Sequence, residues 1–261
     1  MMKTKLTLFV TVLAAALFGV GCASTDNTAK RKHDFTDGLI AYYPFNGNAK
    51  DESGNGNDGE VKGATLTTDR NGDADKAYSF NGASHGISVS DSSSKLAPAS
   101  LTASCWVSWG GKFRKHHGAA LYKGNYNPFP NMAYSIEVDP EGSSGRLFGR
   151  SDSAKFGPAV SEGKNHLQSK SPMPVNEWVH CVLTINDSTK TAKLYINGVL
   201  NDFEVFPGTI NQNAEVLSIG KYNFNNDFNL IGGVDDIRIY NRALSDDEVK
   251  ALYDLEKSKS K

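Results

Sequence analysis

From Leu39 onward, apolar residues come in short runs that alternate with polar ones, and clusters of Gly, Asn, Asp, Pro and Ser separate the runs. LIAYYPF, KAYSF, GISVS, SLTASCWVSW, AALYKG, MAYSIEV, GRLFGR, EWVHCVLTIN, AKLYING, LNDFEVF, EVLSIG and IGGVDDIRIY each have the length and β-branched or aromatic content of a strand. So many short strands with no helical pattern between them predict an all-β fold, a two-sheet antiparallel sandwich of jelly-roll type. Asn197-Gly198 is the strongest hairpin signal, because a two-residue type I′ turn needs positive φ at both positions. The single convincing helix closes the chain. Ser245 followed by Asp246, Asp247 and Glu248 spells a capping box, and Val249, Leu252, Tyr253 and Leu255 form an apolar stripe. These signals place one domain over residues 38–256 and a frayed tail over 257–261.

The first residues read differently. Lys3 and Lys5 precede an apolar run from Leu6 to Val20 that stops at Gly21 and Cys22, too short for a comfortable membrane span, as expected of a secretory signal. Small residues ending in Cys22 resemble a bacterial lipobox, with Gly19 standing where that pattern prefers Leu. The resemblance implies a signal peptide over 1–21, lipidation of Cys22 and a polar tether over 22–37. The expected location is the bacterial cell envelope, outer membrane or cell surface, because Ala23 rather than Asp follows the Cys. The 28 basic residues nearly balance 29 acidic ones, and discounting Lys3 and Lys5 makes the remainder more acidic. Nucleic acid is therefore a poor partner, and a membrane is expected only through the lipid.

Cys105 falls on one strand face with Leu101, Ala103 and Val107, and Cys181 with Val179, Leu183 and Ile185. Both thiols belong on apolar faces, where an exported protein would hold either a disulfide or two buried thiols.

The stretches GLIAYYPFNGNAKDESGNGNDG, AYSFNGASHGISV, LTASCWVSW, EWVHCVLTINDSTKTAKLYINGVL and GGVDDIRIYNRALSDDEVKALY resemble, in this order, the laminin G-like, concanavalin A-like jelly-roll modules of bacterial surface proteins and polysaccharide-degrading enzymes. Pentraxins share that fold, and the likeness to them implies a Cys105–Cys181 disulfide. In related modules a structural calcium ties the Gly/Asn-rich segment to the last strand. The resemblance thus implies Ca²⁺ held by Asp51 and Asp235, with Asn46 or Asn48 and carbonyl groups completing the shell; all are hard oxygen ligands. Strand alternation places Asp235 on the core side with Ile237 and Ile239, where a carboxylate needs a partner, be it an ion, backbone amides or an arginine.

DESGNG matches only the first half of an EF-hand loop, since Lys62 stands at the twelfth position. EVDPE, with Glu137, Asp139 and Glu141, resembles the E-x-D-x-E catalytic strand of glucanases on this fold, but Pro140 and the following GSSG read as a strand entering a turn. For ligand contact, Trp109, Tyr126, Phe129, Tyr222 and Phe224 are the candidate aromatic residues, while Lys112, Arg114, Lys115, His116 and His117 form a basic loop suited to an acidic glycan; the alternative makes Trp109 and Tyr122 core or edge residues and the charged loop a solvated one. Trp106 and Trp178 read as structural. The expected function is a lipid-anchored, non-catalytic recognition or adhesion domain with a carbohydrate partner. The alternatives are a glycan hydrolase or an envelope protein that binds other proteins.

Overall fold

Period-two alternation produces two antiparallel sheets that face each other across an apolar core. The computed structural model describes residues 33–113, 117–125, 131–139, 146–150, 167–205, 209–223 and 228–257, with the backbone alone at 131, 139 and 146–150. Among these residues one sheet has eight strands, comprising β1 (Leu39–Tyr43), β3 (Thr65–Thr67), β4 (Ala77–Asn81), β6 (Leu101–Trp109), β11 (Trp178–Asn186), β12 (Thr191–Ile196), β13 (Val199–Val205) and β15 (Ile231–Tyr240). The other has seven: β2 (Gly59–Lys62), β5 (Gly86–Val89), β7 (Gly118–Asn125), β8 (Asn131–Asp139), β9 (Arg146–Arg150), β10 (Leu167–Gln168) and β14 (Leu217–Ile219). The eight-stranded sheet runs β13-β12-β11-β6-β15-β4-β3, with β1 beside the second half of β15; the seven-stranded sheet runs β10-β9-β8-β7-β14-β5-β2. This is the expected two-sheet jelly-roll sandwich.

Leu101, Ala103, Cys105, Val107 and Trp109 of β6 meet Ile87, Leu121, Tyr134, Ile136, Leu217 and Ile219 of the second sheet in one continuous core. The β12–β13 hairpin turns at Asn197 and Gly198, with φ of 51° and 75°, as the type I′ expectation requires. Cys105 and Cys181 sit directly opposite each other on β6 and β11, fully buried, and both are free thiols. The expected Cys105–Cys181 disulfide is not formed in this structure. Facing residues on neighbouring strands hold their Cβ atoms about 4.5–5.5 Å apart, wider than the ~3.8 Å that a disulfide favours. Burial pushes both thiols far above their ordinary pKa, so neither is a ready nucleophile.

The outer face of the eight-stranded sheet is also buried where β6, β11 and β15 lie beneath α1 (Asp246–Glu256) and the loop carrying Arg70. The Ser245–Glu248 capping box forms as expected, and Val249 and Leu252 are buried. Leu255, assigned to the buried stripe from its spacing, is instead 60% exposed, and Glu256 takes the inward position four residues after Leu252. Glu256 accepts hydrogen bonds from Trp106 Nε1 at 3.0 Å and Arg238 Nε at 2.6 Å.

Asp235 corrects a second expectation. A β-bulge lies between Asp235 and Arg238, where Asp236 has φ of 43°. The extra residue lets Val234 and Ile237 both face the core, and turns Asp235 outward beside its cross-strand neighbour Trp106. There Arg70 Nη1 lies 2.5 Å from Asp235 and Nη2 2.6 Å from Asp236, while the guanidinium stacks 4.7 Å from the Trp106 ring centroid. Tyr42 Oη donates to Asp236 at 3.0 Å. Burial raises the pKa of both carboxyls; for Asp235 the next cause is Asp236, and for Asp236 it is Glu256.

Replacing Arg70 with Met should strand two adjacent buried carboxylates and cost about 3–5 kcal/mol in urea unfolding. The loss should be largest at pH 8 and shrink toward pH 5, because protons can then do the neutralising work of the guanidinium. In thiol titration of the unreduced chain, Cys105 and Cys181 should both react in denaturant and neither in the folded state.

Candidate functional site

On the outer face of the seven-stranded sheet, alternation leaves a row of polar side chains. Ala119, Tyr122, Met132, Ser135, Glu137 and Ser218 occupy this side, with Glu137 opposite Ala119, and Tyr122 flanked by Ser135 and Ser218. Above them His117, Tyr222 and Phe228 make an aromatic cover. The Tyr222 ring lies 4.2 Å from the Tyr122 ring at a tilt of 35°, and the His117 ring lies 4.6 Å from Phe228 and 5.6 Å from Tyr222. The turn holding Tyr222 is fixed by Asn229, whose Oδ1 accepts from Tyr222 N at 3.1 Å.

His117 Nε2 joins the two layers. It lies 2.9 Å from Tyr222 Oη and 3.2 Å from Glu137 Oε2, and the His117 side chain is 24% exposed against 6% for Glu137. Three buried oxygens in this row, Glu137 Oε1, Ser135 Oγ and Ser218 Oγ, have no hydrogen-bond partner among the described residues. Unpaired buried acceptors are costly and rare, so a polar floor of this kind is suited to receive hydroxyl or amine donors from outside the chain.

Of the expected glucanase triad, Glu137 alone can be placed in this cluster. Strand β8 ends at Asp139, which pairs with Arg146 of antiparallel β9; the turn expected at Pro140 and GSSG lies outside the described residues. The side chain of Asp139 and all of Glu141 lie outside the described residues, as do Tyr126, Phe129, Phe224, Cys22 and the basic-loop residues Arg114, Lys115 and His116. Trp109 is corrected: it continues the core-facing series of β6, is 3% exposed, and donates from Nε1 to the Lys112 carbonyl at 3.1 Å. Tyr222 is in the cluster but is mostly buried, packed against Tyr122 instead of offering an open stacking face. Tyr122 and Phe228 fall within the two aromatic segments the sequence offered, whereas sequence reasoning missed Ser135 and Ser218, because β14 inserts between β7 and β5 and no local pattern announces that neighbourhood.

The residues expected to hold calcium already spend their oxygens elsewhere. Asp51 Oδ1 accepts from Tyr42 N and Ser53 N at 2.9 Å each, and Oδ2 accepts from Asn57 N at 2.9 Å and Asn57 Nδ2 at 3.2 Å. That fills about four acceptor positions, all that a carboxylate has. Burial pushes this carboxyl up, but the hydrogen bonds from Ser53, Tyr42 and Asn57 outweigh it and hold its pKa below the ordinary value. Asn46 Oδ1 accepts from Lys76 and Asn48 Oδ1 from Lys50 N, while Asp235 is paired with Arg70. This donor set does not fit a shared calcium ion. The Gly/Asn-rich loop is organised around Asp51 itself.

Residues 81–250 match the family model described as the concanavalin A-like lectin/glucanases superfamily. The chain belongs to this superfamily. No curated protein matches it in sequence. Among solved structures, it is similar to domain 4 of AbnA, a GH43 extracellular arabinanase from Geobacillus stearothermophilus, in complex with arabinotriose: 22% identity, 82% of this chain and 98% of that one, TM-score 0.59. It is also similar to the binding domain of Paraclostridial Mosquitocidal Protein 1, at 22% identity and TM-score 0.63, covering 84% of this chain and about half, 52%, of that one. A third likeness is to Trypanosoma rangeli sialidase in complex with 2,3-difluorosialic acid, at 16% identity and TM-score 0.61, covering 85% of this chain and 34% of that one. The fold is therefore shared by carbohydrate-binding domains and by glycan-cleaving relatives.

Asp51→Ala should cost about 1–3 kcal/mol by orphaning loop amides. The gap between variant and wild type should be full at neutral pH and close as pH falls through the depressed carboxyl pKa. Neither calcium nor EGTA should move the wild-type melting temperature or rescue the variant.

Proposed function

We propose that this domain binds carbohydrate without cleaving it, using the ledge formed by Glu137, Ser135 and Ser218 beneath His117, Tyr222 and Phe228. The observation that carries this reading is the set of three buried oxygens with no partner among the described residues, gathered under aromatic side chains. Sugars offer hydroxyl donors together with apolar C–H faces, which suits such a mixed surface. The arabinotriose complex of the arabinanase domain supports the ligand class.

A non-catalytic role is favoured by the carboxylates. Glycoside hydrolysis ordinarily needs two, set about 5–9.5 Å apart across the scissile bond. Glu137 is the carboxylate that joins the cluster among the described residues, and its Oε2 faces His117. We further propose that Cys22 carries lipid and holds the domain at the cell envelope, which would present the ledge to surface polysaccharide. Globomycin given to cells making the full chain should accumulate the unprocessed precursor, and processing that continues unchanged would remove the anchor.

A glycan array on the full chain should give binding, with no reducing ends released from the bound polysaccharides. Glu137→Gln should weaken that binding about tenfold, the worth of one good buried hydrogen bond. Binding untouched by Glu137→Gln and by Tyr222→Ala would remove the ledge from this role, and product release would replace binding with hydrolysis.

A further inference from the structure

Trp178 opens β11 and, unlike Trp106 and Trp109, is only partly buried. Its ring rests on Gly233 of β15: a Cβ at that glycine would come within 2.8 Å of Trp178 Cη2. The ring is thereby held in place and lines a cleft of about 270 Å³ with Pro172, Glu177, Asn197 and Asn201. This is near the lower end of small-ligand pockets, at about 300 Å³.

The polar groups of the cleft are oriented by the fold. Asn197 Oδ1 accepts from His180 N at 3.0 Å, and Asn201 Oδ1 accepts from Lys170 N at 2.7 Å. With both oxygens committed, each amide retains its N–H₂ donors for a ligand, and the Glu177 carboxylate is exposed as an acceptor. An aromatic wall, two pre-oriented amide donors and one acceptor match the apolar face and hydroxyl rim of a sugar ring. Glu177 disfavours an anionic glycan by charge repulsion. A peptide added as a strand is disfavoured too, because the neighbouring edge is engaged: Gln168 N donates to Asp202 and Lys170 N to Asn201.

We infer that this cleft is a second saccharide-binding site, specific for neutral sugar residues. It shares the ligand class of the ledge and none of its residues, and it lies on β11 and β13 of the other sheet. It rests on the carbohydrate reading only for that class.

Trp178 makes the test direct, since the chain has three tryptophans and the other two are buried. Acrylamide quenching of the full chain therefore reads this ring. A panel of arabinotriose, xylotriose, cellotriose and chitotriose is added at millimolar concentration. At least one should roughly halve the quenching constant by covering the ring. Asn201→Ala and the surface variant Glu177→Ala should each weaken that protection about tenfold in apparent affinity. Glu137→Gln should leave it unchanged. Saturation-transfer contacts from the same trisaccharide to the Trp178 indole protons, lost in Trp178→Phe, would add support. No protection by any trisaccharide overturns the site, as does protection that survives both Asn201→Ala and Glu177→Ala. Protection by a proline-rich peptide and by no saccharide also overturns it. Binding abolished by Glu137→Gln while Trp178 stays quenchable overturns this cleft and keeps the ledge; Trp178 protection with an inert Glu137→Gln does the reverse.

Discussion

Two neighbouring carboxylates that share one guanidinium organise the outer layer of this protein. Asp235 and Asp236 reach Arg70 because a bulge reverses the facing of β15 halfway along its length. Without that extra residue, alternation would drive Asp235 into the core, where an unpaired charge is prohibitive. With it, one strand presents Val234, Ile237 and Ile239 inward and still places its acids beneath α1. Arg70 also donates to the carbonyl of Glu256, while the Glu256 side chain joins Arg238 and Trp106, so strand, loop and helix are held by one connected set of charges. Buried networks of this kind contribute specificity of arrangement at a desolvation cost, and partial removal is worse than full replacement.

Much of the fold is legible in the sequence because its signals are local. The strand runs, the Asn197-Gly198 turn and the Ser245–Glu248 capping box all depend on residues close together in the chain. Trp109 was legible too: it continues the series Leu101, Ala103, Cys105, Val107 at a spacing of two and so belongs to the core, whatever its aromatic appeal as a ligand contact. The facing of Asp235 was not, because strict alternation fails wherever a bulge intervenes, and Asp236 carries no glycine to advertise positive φ. Arg70 sits in a turn-rich segment with no motif around it, and its partners come from the far end of the chain.

The sites follow the same division. Glu137 and Tyr222 stand out in sequence, one as part of an acidic triplet and one as an aromatic in an Asn-rich loop. What gives them chemical meaning is their meeting with His117 and with the serines of β8 and β14, which depends on strand order. Asp51 shows the reverse case. Its surroundings look like a cation loop, yet three backbone amides and the Asn57 side-chain amide occupy its acceptor positions, so the same composition encodes a self-contained turn.

The pairing of β1 with the second half of β15 has a kinetic side. Leu39 pairs with Tyr240 and Tyr43 with Ile237, so the first strand has no neighbour in its sheet until nearly the whole chain exists. Loop closure over such a span must precede the contacts that reward it, which slows folding. A chain emerging from its N-terminal end therefore keeps LIAYY as an unpaired apolar segment until the last strand arrives. The sandwich closes in a late step, and Phe35 is drawn against the cluster that includes Val249 and Leu252 of α1 only when that step is done.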